Sequence, residues 1–189
     1  MRTTTLLLVA SLASALLAGT AVRTLASSGE GAPTTSPVER GKYLVASMAC
    51  NDCHTPWTMG PEGPMPDMTR ELSGHPAGLP LSTPPTANAD WPTSTSATMT
   101  AWSGPWGTSF TANLTPDRET GLGTWTAEEF LAAMRTGRHQ GRGRAILPPM
   151  PWTMIRNLDD QDLRAIFAYL QSIPAISNRV PEPLPPTAQ

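Results

Sequence analysis

The sequence predicts a small all-α domain with long irregular loops. Three observations point that way: three segments carry capped, amphipathic helix patterns, no segment alternates as a strand does, and proline and glycine are abundant. Pro (21) and Gly (15) approach a fifth of the 189 residues, against a usual ~12%. The length suits one domain with a true core. A net charge of -2 lacks the basic footprint of a nucleic-acid binder. A hydrophobic share of 39% excludes a multi-span membrane protein, and two cysteines can build neither a disulfide framework nor a four-thiolate zinc site.

In chain order, residues 1–26 read as a signal peptide or an uncleaved anchor. Met1-Arg2 precedes an uncharged apolar run from Leu6 to Val22, and Thr24-Leu25-Ala26 offers a small-residue exit. Either way the mature part is expected outside the cytoplasm. Residues 27–35 (SSGEGAPTT) form a flexible linker. The first helix opens at Ser36, with Pro37 at its first position and Glu39 completing a capping box; Val38, Leu44, Val45 and Met48 supply its apolar side. The span 57–110 holds nine prolines and no sustained period, so it is expected as a loop insertion.

The second helix opens at Thr126 with Glu129, stapled by Trp125 and Phe130 and stopped by Gly137; Phe130, Leu131 and Met134 recur at helical spacing. The third opens at Asp159 with an acidic first turn, buries Leu163, Ile166, Phe167, Leu170 and Ile173, and ends at Pro174. Residues 176–189 form a Pro-rich tail, extended or disordered.

Chemistry concentrates in Cys50-Asn51-Asp52-Cys53-His54 at the end of the first helix. Two thiols two residues apart with histidine directly after form the attachment pattern for c-type haem. One turn of chain offers both sulfurs to the vinyl groups of one porphyrin and carries the next imidazole under the iron. A thioredoxin-like pair would need a βαβ context, and a zinc site would need further clustered ligands; neither is visible. For the second axial position, Met150 stands in the proline-stiffened Leu147-Pro148-Pro149-Met150-Pro151-Trp152, with His75 and His139 as alternatives.

Arg138, Arg142 and Arg144 either pair a haem propionate or form a solvated basic loop. Trp152 and Trp57 are candidates to cover a haem edge. Met59, Met65 and Met68 admit a soft copper site or simple clustering. Asn113-Leu114-Thr115 matches a glycosylation acceptor without other support.

The chain resembles the class I mono-haem cytochrome c family, and more closely the haem domains in cytochrome subunits of membrane-associated alcohol and aldehyde dehydrogenases. The resemblance rests on residues 39–44 (ERGKYL), the Cys motif, 113–117 (NLTPD) and 120–123 (TGLG). It extends through Trp125 with Glu128-Glu129-Phe130, Pro149-Met150-Pro151, and 163–170 (LRAIFAYL).

The resemblance implies a cytochrome c domain over 36–175, first and last helices that cross, and one covalent haem c attached at Cys50 and Cys53. It implies His54 and Met150 as axial ligands and single-electron transfer. The expected role is an electron carrier, not an enzyme, at the periplasm or the outer face of the inner membrane. Its redox partners would be a dehydrogenase donor and an oxidase or cytochrome acceptor. A haem protein with an open sixth site, peroxidase-like or ligand-binding, is the alternative, with a Met-rich copper-binding module behind it. Two departures are visible: such subunits commonly carry three attachment motifs where this chain has one, and the 57–110 segment is longer.

Overall fold

The computed structural model describes residues 35–85 and 87–186; the expected signal segment and nearly all of the linker lie outside them. Capping chemistry places the helices. At α1 (Pro37–Ser47) the Glu39 amide donates to Ser36 Oγ at 3.2 Å, and the Ser36 amide to Glu39 Oε2 at 3.0 Å. α3 (Ala127–Thr136) repeats this box with Thr126 and Glu129, and Gly137 ends it in the left-handed conformation, φ 66°. α5 (Asp160–Leu170) starts where Asp159 accepts from the Asp162 amide at 2.7 Å. Two single-turn helices, α2 (Cys50–His54) and α4 (Trp152–Ile155), join them.

The chain is not all-α. Two antiparallel sheets stand inside 57–110: a hairpin of β1 (Trp57–Gly60) with β2 (Gly63–Pro66), and a three-stranded sheet in the order β3 (Ser94–Thr95), β4 (Ala101–Gly104), β5 (Gly107–Phe110). Strands of two to four residues are too short for alternation to register, and prolines in β2 argue locally against a strand. Those prolines are tolerated because β2 pairs on one edge only. The overlooked signal is a repeated turn: Gly60-Pro61-Glu62-Gly63 and Gly104-Pro105-Trp106-Gly107 each close a hairpin, with the glycines in register and positive φ at Gly63 and Gly107.

One core holds the helices. α1 and α5 cross with Gly41 against the Ala165 backbone, where a Cβ at Gly41 would overlap the Ala165 carbonyl. Val45, Leu163, Ile166 and Leu170 are buried in that core, each full burial contributing about 1.5–3 kcal/mol. Arg40 grips Asp162 across the crossing through two bonds of 2.8 Å.

The described part of the Pro-rich tail is tied down at several points. Thr108 and Leu184 exchange two main-chain bonds of 2.9 Å on the free edge of β5. Asn178 Nδ2 donates to the carbonyls of Ser73 (2.7 Å) and His75 (2.9 Å).

Candidate functional site

The site starts at a bend. After α1, Ala49 takes φ 56°, a left-handed value that L residues seldom adopt, and the chain re-enters a helical turn at Cys50. Helical spacing of i, i+3 and i+4 puts Cys50, Cys53 and His54 on one face of α2. Both cysteines are unpaired and half-buried. Burial pushes the Cys50 thiol up to about 11 and raises Cys53 too, with the Asp52 carboxylate adding to the rise. Both therefore stay protonated near neutrality, unlike the thiolates of a redox dithiol or a zinc site. Among the described residues no three His, Cys, Asp or Glu side chains gather as metal ligands, and the strands pair antiparallel, with no βαβ unit.

His54 is buried, with its Nδ1 2.8 Å from the Ala112 carbonyl. A carbonyl only accepts, so Nδ1 carries the proton and the lone pair falls on Nε2. Burial lowers the pKa of this imidazole and keeps it neutral. A neutral ring, oriented through one nitrogen and offering a lone pair on the other, is the form in which histidine binds a metal.

Three adjoining segments hold that ring in place. The His54 carbonyl accepts from the Gly74 amide at 2.8 Å, and Thr55 Oγ1 accepts from the Leu72 amide at 2.8 Å. Residues 72–75 pair in turn with 111–114: His75 N–H donates to Thr111 O at 3.0 Å and Leu114 N–H to Leu72 O at 2.8 Å. Gly74, φ 77°, permits this approach, since a Cβ there would collide with the backbone of Thr111 and Ala112.

Met150 is half-buried against the same core that Cys50 borders. Its loop is tied to β5, where the Ser109 hydroxyl donates to the Pro148 carbonyl at 2.6 Å. Met48, Leu114, Trp125 and Ile146 are also half-buried at the core's margin. An apolar rim, two protonated thiols on one face and an imidazole with a free Nε2 fit a porphyrin bound through thioethers.

The alternative histidines are engaged elsewhere. His75 is buried, its Nδ1 2.9 Å from Thr100 Oγ1 and its ring against Phe110. His139 is exposed and sits edge-on to Trp125 at 4.8 Å. The arginines also have partners: Arg138 donates to the Gly143 carbonyl, Arg142 pairs with Glu129, and Arg144 lies 3.9 Å from Glu182. Trp152 packs over Gly137, and the Trp57 indole donates to the Asp52 carbonyl inside the motif at 3.0 Å.

The β1–β2 register sets Met59 opposite Pro64 and Met65 opposite Thr58, so the two thioethers leave opposite faces of the hairpin and do not converge on a metal. Asn113 is buried, donating to the Ile176 carbonyl and accepting from Thr115, and is no glycosylation acceptor in this fold. Sequence reasoning overlooked Ala112, Ser109 and Asn178. A main-chain carbonyl carries no side-chain signature; Ser109 stood in a segment expected as loop, and Asn178 in the tail.

A sequence model described as cytochrome c matches residues 38–174. One of the subunits of nicotinate dehydrogenase from Pseudomonas putida is 31% identical over 81% of this chain. The cytochrome c subunit of the quinone alcohol dehydrogenase of Gluconobacter oxydans is 27% identical over 77%, and the fructose dehydrogenase cytochrome subunit of Gluconobacter japonicus 28% over 83%. The chain spans 10%, 24% and 26% of those three proteins' lengths.

Proposed function

The chain belongs to the cytochrome c family, and from that premise we propose that it is an exported mono-haem electron carrier. Cys50 and Cys53 would hold the haem through two thioethers, and His54 and Met150 would ligate its iron. Bound haem iron supplies one-electron exchange between its ferrous and ferric states. The chain's own residues bind, orient and tune. The observation that carries this reading is the His54 ring, protonated at Nδ1 by its bond to Ala112 and free at Nε2, on one helical face with both thiols. Methionine as the second ligand raises the potential relative to histidine.

The domain organisation we infer is an export segment over 1–26, a linker over 27–35, the haem domain over 36–175 and the tail over 176–189. Among the described residues no helix is long and apolar enough to cross a membrane; the tether we propose is the N-terminal segment. The redox partner is a dehydrogenase, a reading supported by relatives whose names place them in nicotinate, alcohol and fructose dehydrogenases. The protein works at the periplasmic face.

The test is mass spectrometry and an oxidised-minus-reduced visible spectrum of protein matured with covalent haem, beside the double variant Cys50→Ser, Cys53→Ser. One added macrocycle, lost in the variant, supports the reading. An unmodified polypeptide refutes it, and a haem protein without a thioether-to-iron band moves it to the open-site alternative.

A further inference from the structure

Residues 109–112 reach both proposed axial ligands. Ser109, 7% exposed on β5, donates its hydroxyl to the Pro148 carbonyl, two residues before Met150, at 2.6 Å. Ala112, three residues on, accepts from His54 Nδ1 at 2.8 Å. Between them β5 runs on to Phe110, three steps of chain spanning at most about 10 Å, and the segment is pinned on both sides. Ser109 stands opposite Trp102 of β4, the Thr111 amide donates to the Thr100 carbonyl at 2.9 Å, and the Thr111 carbonyl accepts from the His75 amide at 3.0 Å. The outer edge of β5 is closed by Thr108 and Leu184.

The Met150 loop needs such an anchor. Pro148, Pro149 and Pro151 have no N–H to donate, so main-chain tethers at those residues run through carbonyls. At Pro148 the donor is Ser109, whose hydroxyl is itself oriented by the Trp106 indole N–H at 3.3 Å.

We propose that residues 109–112 act as a gauge that fixes the Met150 loop relative to the His54 imidazole, with Ser109 as its positioning residue. The proposal rests on His54 and Met150 being the axial ligands. The 57–110 segment thereby acquires a role: its last hairpin is a clamp on the methionine side of the site. Weak thioether ligands bind only where the chain holds them in place, so a loosened loop shows first as a labile methionine.

The test uses the full-length holoprotein. In Ser109→Ala, covalent haem content stays unchanged, the thioether-to-iron band of the oxidised form is lost at lower temperature, and exogenous imidazole binds about tenfold faster, the scale of one lost hydrogen bond. Ser109→Thr keeps the hydroxyl and restores both readouts. Trp106→Phe removes the donor that orients Ser109 while leaving the Ser109 hydroxyl in place, and moves the rate the same way by about threefold, so it decides the matter if Ser109→Ala does not mature. Gly41→Ala, destabilised at the α1–α5 crossing far from the loop in sequence, leaves imidazole entry within about twofold, separating positioning from global stability. An unsubstituted protein with no thioether band overturns the ligand reading and the gauge together. A normal band with imidazole entry unmoved by Ser109→Ala or Trp106→Phe, or entry that follows global stability in all variants, overturns the gauge alone.

Discussion

The His54 imidazole and the Ala112 carbonyl meet at 2.8 Å across 58 residues of chain. Their contact depends on Gly74, which lets residues 72–75 pass between the Cys turn and residues 111–112. Gly74→Ala puts a Cβ into the Thr111–Ala112 backbone at a positive φ. A loss of about 2–4 kcal/mol is expected, with a weakened His54 orientation. Denaturant unfolding measures the first and the reduced-state spectrum the second; a variant as stable as the parent contradicts this account.

Gly41 has a different duty, the close approach of α1 to α5. Gly41→Ala is expected to lower stability by about 3 kcal/mol, since overpacking against a backbone carbonyl cannot be relieved by a rotamer change. Gly78, where an added Cβ meets nothing within 4 Å, is the control, and Gly78→Ala should change stability by under about 0.5 kcal/mol. Equal losses at both positions would mean the helix crossing is looser than described.

Met150→Leu removes the thioether while keeping the side-chain volume close. The midpoint potential is expected to fall and the iron to bind cyanide or carbon monoxide. Potentiometric titration and ligand difference spectra read the two effects. An unaltered spectrum reassigns the second ligand to a histidine.

His75 predicts a pH dependence. Burial holds its pKa below the ordinary value, so the unfolded chain takes up a proton near pH 6.5 that the folded ring refuses until lower pH. The unfolded state then binds more protons in that window, and stability drops as pH falls from about 6.5 toward the folded value, by at most about 1.4 kcal/mol per pH unit. Above that window the contribution is fully present. Comparing unfolding of the parent and His75→Gln between pH 4 and 8, roughly the titration range of histidine, checks this; parallel slopes refute it.

Local chemistry determined much of this protein. Ser36 with Glu39, Thr126 with Glu129, and Asp159 each start a helix through bonds within three residues, and the Cys50–His54 spacing sets three side chains on one face of a single turn. Such features depend on neighbours in sequence, so they are readable there. The strands of 57–110 escaped because their pairing replaces alternation as the determinant: β1, β2, β4 and β5 have four residues each, and they are held by hairpin closure at the two Gly-Pro-x-Gly turns and by bonds to distant segments such as Thr108 to Leu184.

Tertiary structure alone decided which groups serve the site. The ring of His54 is oriented by a carbonyl from another segment, the Met150 loop by a serine 39 residues before Pro148, and the tail by Asn178. Each of these bonds joins parts of the chain that share no local pattern. Their free energy appears only after the intervening loops have closed, and that closure is a property of the whole fold.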